Sequence, residues 1–324
     1  MLPPLAFTLL RRLSDGEVHS GETLAATIGM TRSRVSQLLG QAEEAGLSLE
    51  RVRGRGYRLL EATPFLDRAA IVRELGARGP KLTVEIADAI DSTNSELLRR
   101  VPRVHRHLLA AEWQTAGRGR RGRAWTAVVG GSLTFSLGWR FEQGAGYLSG
   151  LSLAVGVAIA RALEACGCAG VELKWPNDLV HRGSKLGGIL IELSGDALGP
   201  SVVVIGVGLN VRLAQTARRE IAQPVTDCAA IAGAIDRNVL LARVAGELVL
   251  SLERYERDGF DAFRAEWQRR HALQRQPVDV SLPDGSVVPG TVVGVDADGA
   301  LVLDRDGRRL RFITGEVSLR RAKR

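Results

Sequence analysis

Seven consecutive residues, Gly117-Arg118-Gly119-Arg120-Arg121-Gly122-Arg123, carry four guanidinium groups and three glycines. Such a run cannot be a stable helix or a buried strand, because the charges need water or anions and ordering the glycines costs conformational entropy. It is expected to be a mobile loop, entered through Gln114-Thr115-Ala116 and closed by Ala124-Trp125. In such a loop the backbone can come close to a ligand while the guanidinium forks grip phosphate or carboxylate with paired hydrogen bonds. A solvated basic turn, or an RGG-like segment that holds nucleic acid without specificity, would have the same composition. Context has to decide between them.

Three further stretches offer polar groups at informative spacing. Asp91-Ser92-Thr93-Asn94 opens a helix that carries Leu97 and Leu98. Ser92, Thr93 and Asn94 suit an uncharged polar ligand such as a ureido or amide group, and they also serve as ordinary helix caps. In Lys174-Trp175-Pro176-Asn177-Asp178 the proline, lacking an N–H, stops a strand, and an amide and a carboxylate lie directly past the stop. Lys185-Leu186-Gly187-Gly188 begins a glycine-bearing strand, from which the ammonium either reaches an anion or faces solvent. Gly206 and Gly208 in the apolar run 202–210 would admit a flat ligand close to the backbone. That run is not a dinucleotide fingerprint, since Val211 replaces the third glycine and no helix pattern opens there. No Gly-Lys-Ser/Thr phosphate loop occurs, so any nucleotide must be held differently. No nucleophile and base stand at a plausible spacing, so covalent enzyme catalysis is not required.

These groups need a scaffold. Strands are expected at 81–86, 108–113, 132–139, 171–175 and 202–210, with a hairpin over 179–192 turning at Arg182-Gly183-Ser184. The arginine loop then lies between two strands, where binding loops sit. A long helix from Gly150 to about Ala165 is nearly without charge and should be buried. Residues 215–232 read as polar and irregular. Helical patterns follow through Leu240, Leu241, Val244, Leu248 and Leu252, then Phe260, Phe263 and Trp267.

The two ends read differently. Leu5, Leu9, Leu10 and Leu13 recur at helical spacing until Ser14-Asp15-Gly16; Ser20 caps a second short helix ending at Gly29, and Thr31 caps a third. Two short helices with a glycine-containing turn mark a helix-turn-helix. Val35, Leu38, Leu39 and Ala42 form the apolar stripe of the third helix and leave Thr31, Arg32, Ser33, Arg34, Ser36 and Gln37 for base edges and phosphates of DNA. Residues 49–60 alternate around a Gly-Arg-Gly tip and read as a hairpin wing whose arginines, Arg53 and Arg55 among them, meet backbone phosphate. Residues 1–62 hold eight Arg against seven Asp and Glu, so the support is the clustering of arginine on these two elements and not net charge. At the other end, short strands at 277–282, 290–295, 300–303, 309–313 and 315–319, with turns at Pro283-Asp284-Gly285, 296–299 and Asp306-Gly307, make an SH3-like β-barrel by pattern. Arg320 to Arg324 would be a solvated tail.

The expected organisation is a multidomain α+β chain: a winged helix-turn-helix over residues 1–63, a central mixed α/β domain over 64–272 and the small barrel over 273–324, bounded at Glu61-Ala62-Thr63-Pro64. The length of 324 residues supports two or three domains, and 45% apolar with 25% charged residues is ordinary for a globular protein. With no apolar run of about 18 residues and no signal-like start, a cytoplasmic protein without membrane contact is expected. Cys166, Cys168 and Cys228 should be reduced, partly buried thiols, and without a matching His/Cys pair no zinc or other metal site is expected. A formal charge of +8 and a pI near 10.1 favour a polyanionic partner.

Asp91-Ser92-Thr93-Asn94, then Gln114 through Trp125, then Lys174 through Asp178, then Lys185 through Leu190, in this order and spacing, resemble the biotin protein ligase family. With a winged helix in front, the resemblance extends over almost the whole chain to the family's bifunctional branch, biotin ligase and biotin operon repressor in one protein. It implies a class II synthetase/SH2-like ligase domain and a two-step reaction. Biotin and MgATP give biotinoyl-5′-AMP and pyrophosphate, and the adenylate then acylates a lysine of a biotin carboxyl carrier protein domain. By the same resemblance Ser92, Thr93, Asn94 and Gln114 hold biotin, with Thr93 and Gln114 near its ureido ring. Arg118, Gly119 and Arg120 close over carboxylate and phosphates, and Lys185 contacts the activated carboxyl or phosphate oxygens; Arg118 and Lys185 are the catalytic candidates. Arg121, Asn177 and Asp178 fall on the nucleotide side. Operator DNA and a homodimer of the adenylate-bound protein follow as partners. A ligand-sensing regulator without catalysis and a lipoate-type acyl ligase remain alternatives; the arginine-glycine loop weighs against the latter.

Overall fold

The computed structural model describes residues 2–60, 64–195, 199–282, 284–313 and 318–321. Expectations for Glu61-Ala62-Thr63, Pro283, 314–317 and the tail beyond 321 lie outside them.

The N-terminal part is built from local signals. Helix α1 (Pro4–Arg12) ends in a short turn at Gly16, whose φ of +77° suits glycine. Helix α2 (Gly21–Ile28) is capped by Ser20, whose side chain accepts from Thr23 N, and α3 (Arg32–Glu44) by Thr31, which accepts from Arg34 N. Strands β1 (Leu49–Val52) and β2 (Gly56–Leu59) pair as an antiparallel hairpin. Leu9, Leu10, Leu24, Val35, Leu38 and Leu39 are buried together, and Val129 joins this cluster from the segment following the arginine stretch.

The chain then forms α4 (Arg68–Leu75), β3 (Thr83–Ile90), α5 (Thr93–Arg99), β4 (His107–Gln114), β5 (Ser132–Phe141) and α6 (Leu151–Ala165). β6 (Glu172–Lys174), β7 (Asp178–His181), β8 (Ser184–Gly195) and β9 (Ser201–Asn210) follow, then α7 (Gln215–Glu220), α8 (Cys228–Ala232), α9 (Arg237–Asp258) and α10 (Asp261–Arg270). The sheet order is β3-β4-β5-β9-β8-β7-β6, with β3 and β4 parallel and the other pairs antiparallel. The expected strand at 81–86 is shifted: residues 76–81 make a tight helical turn, and the strand runs on through Ile90. Residues 215–232 are not irregular but hold α7 and α8, the latter capped by Asp227 accepting from Ala230 N at 2.8 Å. As expected, α6 is buried along most of its length.

Strands β10 (Pro277–Ser281), β11 (Val287–Val295), β12 (Leu301–Arg305), β13 (Arg308–Phe312) and β14 (Ser318–Arg321) form an antiparallel sheet in the order β13-β12-β11-β10-β14. Its inward residues Val278, Val280, Val292, Leu301 and Leu303 belong to the same buried cluster as the central sheet and α6. Among the described residues no helix is long and apolar enough to cross a membrane. The three cysteines are free; Cys168 and Cys228 are buried and Cys166 is half-buried.

Candidate functional site

All four stretches singled out above meet at one cavity of about 570 Å³. Ser92, Thr93, Asn94, Gln114, Arg118, Gly119, Arg120, Arg121, Asn177, Asp178 and Lys185 all line it. Its size suits a ligand of a few hundred daltons. The convergence starts with register. β3 and β4 run parallel with Ile90 beside Gln114, and the chain beyond β4 stays attached, Thr115 N donating to Ile90 O and Ala116 N to Asp91 O, each at 2.9 Å. The start of α5 and the end of β4 therefore lie side by side. Thr93 N donates to Gln114 Oε1 at 2.7 Å, and Thr93 Oγ1 lies 3.1 Å from the same oxygen.

Gly206 and Gly208 on β9 make room at the floor, but not directly for a ligand. A Cβ on Gly206 would stand 2.3 Å from Asn94 Oδ1, and one on Gly208 2.4 Å from the Trp125 ring. The expected flat occupant of this strand is the protein's own indole and amide. The Trp125 Nε1 is buried and has no hydrogen-bond partner, a donor at the cavity wall without an acceptor.

The arginine stretch is a closed hairpin and not an irregular loop. Arg118 pairs with Ala124, Gly119 N donates to Arg123 O at 2.7 Å and Trp125 N to Gly117 O at 2.9 Å. Arg121 and Gly122, at φ +59° and +69°, form the tip. Gly117 has to be glycine, since a Cβ there would lie 2.7 Å from Trp125 O. The cations are already engaged by the protein. Arg118 donates to Ser95 Oγ at 2.8 Å and has Glu192 at 3.5 Å; Arg120 lies 3.4 Å from Asn177 Oδ1. Burial pulls the Arg120 guanidinium below its usual pKa. Lys185 Nζ is 2.7 Å from Asp178 Oδ1 and 5.9 Å from the Trp125 ring centre. Arg121 is exposed at the lip.

Lys185 is also held from the other side. Its N–H donates to Pro224 O and its carbonyl accepts from Thr226 N, both at 2.9 Å, so that Val225 becomes part of the cavity rim. Asp91, in contrast, serves the scaffold: the Arg99 guanidinium, with the Ser92 N–H, holds its carboxyl down at about 2. Sequence reasoning missed Ser136, fully buried on β5, whose Oγ lies 2.6 Å from Thr93 Oγ1 and 2.5 Å from Asn94 Oδ1. It also missed Glu192, which accepts from Asn94 Nδ2 at 2.7 Å. Ser136 shares its face of β5 with Ser132, Thr134 and Gly138, so residue type alone does not mark it.

On the N-terminal part, Thr31, Arg32, Ser33 and Gln37 are exposed, whereas Arg34 and Ser36 are half-buried. Arg34 donates to Gln37 Oε1 at 2.6 Å, and Arg32 has Glu22 at 3.4 Å. The hairpin arginines differ in their surroundings. Arg51 is paired with Glu43 at 2.7 Å and Arg58 with Glu50 at 2.6 Å, each because an acidic residue stands across the fold from it. Arg53 and Arg55 at the tip are exposed.

Comparison with known proteins agrees with this geometry. Residues 87–210 match the model of the Biotin/lipoate A/B protein ligase family, and residues 276–320 that of the Biotin protein ligase C terminal domain. The chain is 36% identical over 317 residues to the bifunctional ligase/repressor BirA of Salmonella typhimurium, covering 98% of each chain. It is 35% identical to that of Escherichia coli, covering 98% of this chain and 97% of the relative. Among solved structures it resembles the biotin protein ligase from Aquifex aeolicus in complex with biotin and ATP, with a TM-score of 0.64 and 27% identity over 74% of this chain and 99% of the other. With motifs, cavity and full-length relatives in agreement, the chain belongs to the biotin protein ligase family, in its bifunctional ligase/repressor branch.

Proposed function

We propose that this protein joins biotin to a lysine of a biotin carboxyl carrier protein at the expense of ATP and, as a biotin-responsive repressor, controls transcription of biotin genes. The observation that carries the ligase reading is the polarity of the cavity. Its lining combines neutral hydrogen-bonding groups, Thr93 and Gln114, with the cations Arg118, Arg120 and Lys185. Biotin has the matching groups, a cyclic urea and a carboxylate. In the first step a carboxylate oxygen attacks the α-phosphorus of ATP and the bond to pyrophosphate breaks, giving biotinoyl-5′-AMP. Arg118, Arg120 and Lys185 offset the charge that gathers on the phosphoryl oxygens. In the second step the carrier lysine amine attacks the acyl carbon and AMP leaves. Holding the reactants in line is the main contribution asked of the protein, which suits a site without a nucleophile of its own.

ATP enters as its Mg²⁺ complex in this reading. Asp178 is the carboxylate among the residues lining the cavity and already has Lys185 as partner, so the ion would be carried mainly by phosphate oxygens and water. Asn177 and Arg121 serve the nucleotide side, and Ser92, Asn94 and Gly119 complete the biotin side.

The three-domain division at 63/64 and 272/273 accompanies this reading, with α2, α3 and the β1–β2 hairpin as a winged helix-turn-helix and the β10–β14 sheet as an SH3-like barrel. Thr31, Arg32, Ser33, Arg34, Ser36 and Gln37 on α3, with Arg53 and Arg55, would contact operator DNA. Two half-sites need two such heads, so the repressing form is a homodimer. Support for a dimer comes from β8, which beyond Ile189 pairs, among the described residues, only with β9 and leaves an outer edge open to a second strand. The protein would work in the cytoplasm, where carrier and operator are found.

The test is ATP–pyrophosphate exchange with purified protein, followed by transfer of labelled biotin to a carrier lysine. Biotin-dependent exchange is expected. Its absence at saturating biotin and ATP overturns the reading.

A further inference from the structure

The polar end of the cavity is joined to a carboxylate behind it, and the connection fixes which way its protons point. Asn94 is 3% exposed and Ser136 fully buried. Asn94 Nδ2 donates to Leu190 O at 3.2 Å and to Glu192 Oε2 at 2.7 Å. Both partners are acceptors, so a flipped amide would set its oxygen against two oxygens. Asn94 Oδ1 therefore faces Ser136 Oγ, 2.5 Å away, and takes the one proton that hydroxyl has. Ser136 is left to accept, and the Thr93 hydroxyl, 2.6 Å from it, donates there. Were the Thr93 proton turned to Gln114 Oε1 instead, the hydroxyl oxygens of Thr93 and Ser136 would face each other at 2.6 Å with no proton between them. Gln114 Oε1 is already satisfied by the Thr93 N–H at 2.7 Å, which leaves the Gln114 amide nitrogen as the free end of that side chain.

With these protons assigned, Thr93 Oγ1 can only accept from a ligand and Gln114 Nε2 can only donate to one. A cyclic urea, with N–H beside C=O, complements that pair. A dithiolane offers neither group.

We propose that Ser136 and Glu192 are positioning residues for biotin selection: the chain Thr93–Ser136–Asn94–Glu192 holds the Thr93 hydroxyl as an acceptor for a ureido N–H. The proposal rests on the biotin ligase reading above. Neither residue touches the ligand in it; both act through Asn94 and Thr93. Glu192 also lies 3.5 Å from Arg118, so the chain that orients the urea end finishes beside the arginine hairpin.

The experiment compares biotin with the two carbamate analogues in which ring oxygen replaces one ureido N–H. KM and kcat are measured in ATP–pyrophosphate exchange, and affinity by calorimetry, for the unmodified protein and Ser136→Ala. In the unmodified protein, ring oxygen opposite Thr93 sets acceptor against acceptor, so biotin is preferred over that isomer by about 100-fold or more. In S136A the Thr93 hydroxyl is free to turn and donate to ring oxygen. The preference then falls by about tenfold or more, while biotin KM rises and kcat at saturating biotin stays within about threefold. Equal losses for all ligands would mean that Ser136 only supports packing, and that outcome overturns the proposal, as does an unchanged preference. Glu192→Ala, which removes the acceptor of the Asn94 amide at a side chain 29% exposed, gives the same comparison should S136A fail to fold, with a fall in preference of about threefold expected and no change overturning the proposal. If the unmodified protein shows no biotin-dependent exchange, the ligase reading fails. If it exchanges normally and both variants keep its preference, only this proposal fails.

Discussion

At the tip of the β1–β2 hairpin, Arg53 and Arg55 alternate with Gly54 and Gly56 and stand in solvent. At residues 117–123 arginine again alternates with glycine, yet Arg118 and Arg120 are tied to Ser95, Glu192 and Asn177 across a cavity. The glycines differ in purpose as well. Gly56, at φ +139°, lets the hairpin approach His19 O, where a Cβ would stand 1.9 Å away. Gly117 clears the Trp125 carbonyl and lets the arginine hairpin close on itself. Composition is thus no guide to the anion each stretch serves. Exposed guanidinium groups on a protruding tip suit a long polyanion approached from outside. Guanidinium groups folded over a walled cavity suit one small anion held in fixed geometry.

If that contrast is right, changes at the cavity should destroy chemistry without touching DNA contact, and the largest effect should come from Lys185. Lys185→Ala removes an ammonium from the cavity and leaves Asp178 without its partner. Adenylate formation should fall by about 10²–10³-fold in kcat/KM, while non-specific DNA binding by the unligated protein stays within about twofold. A loss of activity below about tenfold in pyrophosphate exchange would break the contrast on the cavity side. Gly208→Ala should act next most strongly, since its Cβ would stand 2.4 Å from the Trp125 ring. The indole must then move into the space that biotin needs, and biotin KM should rise about tenfold or more with the melting temperature changed little. An unaltered KM would show that Trp125 leaves this position before ligand enters.

How far these assignments could be made from sequence depended on how local their causes are. Ser20 and Thr31 cap α2 and α3 through contacts within three residues, and both helices stand where the sequence placed them. The same local signal was available for α4, whose cap Asp67 accepts from Ala70 N at 2.6 Å, and for α8 through Asp227. Both were overlooked because each helix is short and its apolar stripe weak. The site stretches were legible through their order and their resemblance to a family. Ser136 and Glu192 were not, because their roles depend on strand register: Ser136 lies opposite Gly206, and Gly206 opposite Leu190, which places all three around Asn94. Nothing within a few residues of Ser136 announces that.

Trypsin offers a direct way to sharpen the comparison, because both stretches are rich in arginine. Biotin and ATP together should slow cleavage between Arg118 and Arg123 by about tenfold, as the hairpin tightens over biotinoyl-adenylate and opening becomes rarer. Cleavage at Arg53 and Arg55 should be unaffected. If the hairpin is not protected on adding both ligands, it is not the element that retains the intermediate. If both stretches are protected alike, they do not serve separate anions.

The smallest effect should come from the tip itself. Arg53 and Arg55 are exposed, and each would neutralise one phosphate at most, so Arg53→Ala and Arg55→Ala should each weaken DNA binding only about three- to tenfold near physiological salt. The informative readout is the slope of log affinity against log salt, which should become shallower by about one for each arginine removed. Pyrophosphate exchange should be unchanged in both variants, because neither residue lines the cavity. Arg51→Ala and Arg58→Ala supply the internal control. Their guanidinium groups are paired with Glu43 and Glu50, so removing them frees an acid instead of a phosphate contact. They should leave the slope nearly unaltered and act, if at all, on the stability of the hairpin. Equal slope changes from all four arginines would mean that the ion pairs at Arg51 and Arg58 open on DNA, and the division of labour within the β1–β2 hairpin would then have to be redrawn around net charge.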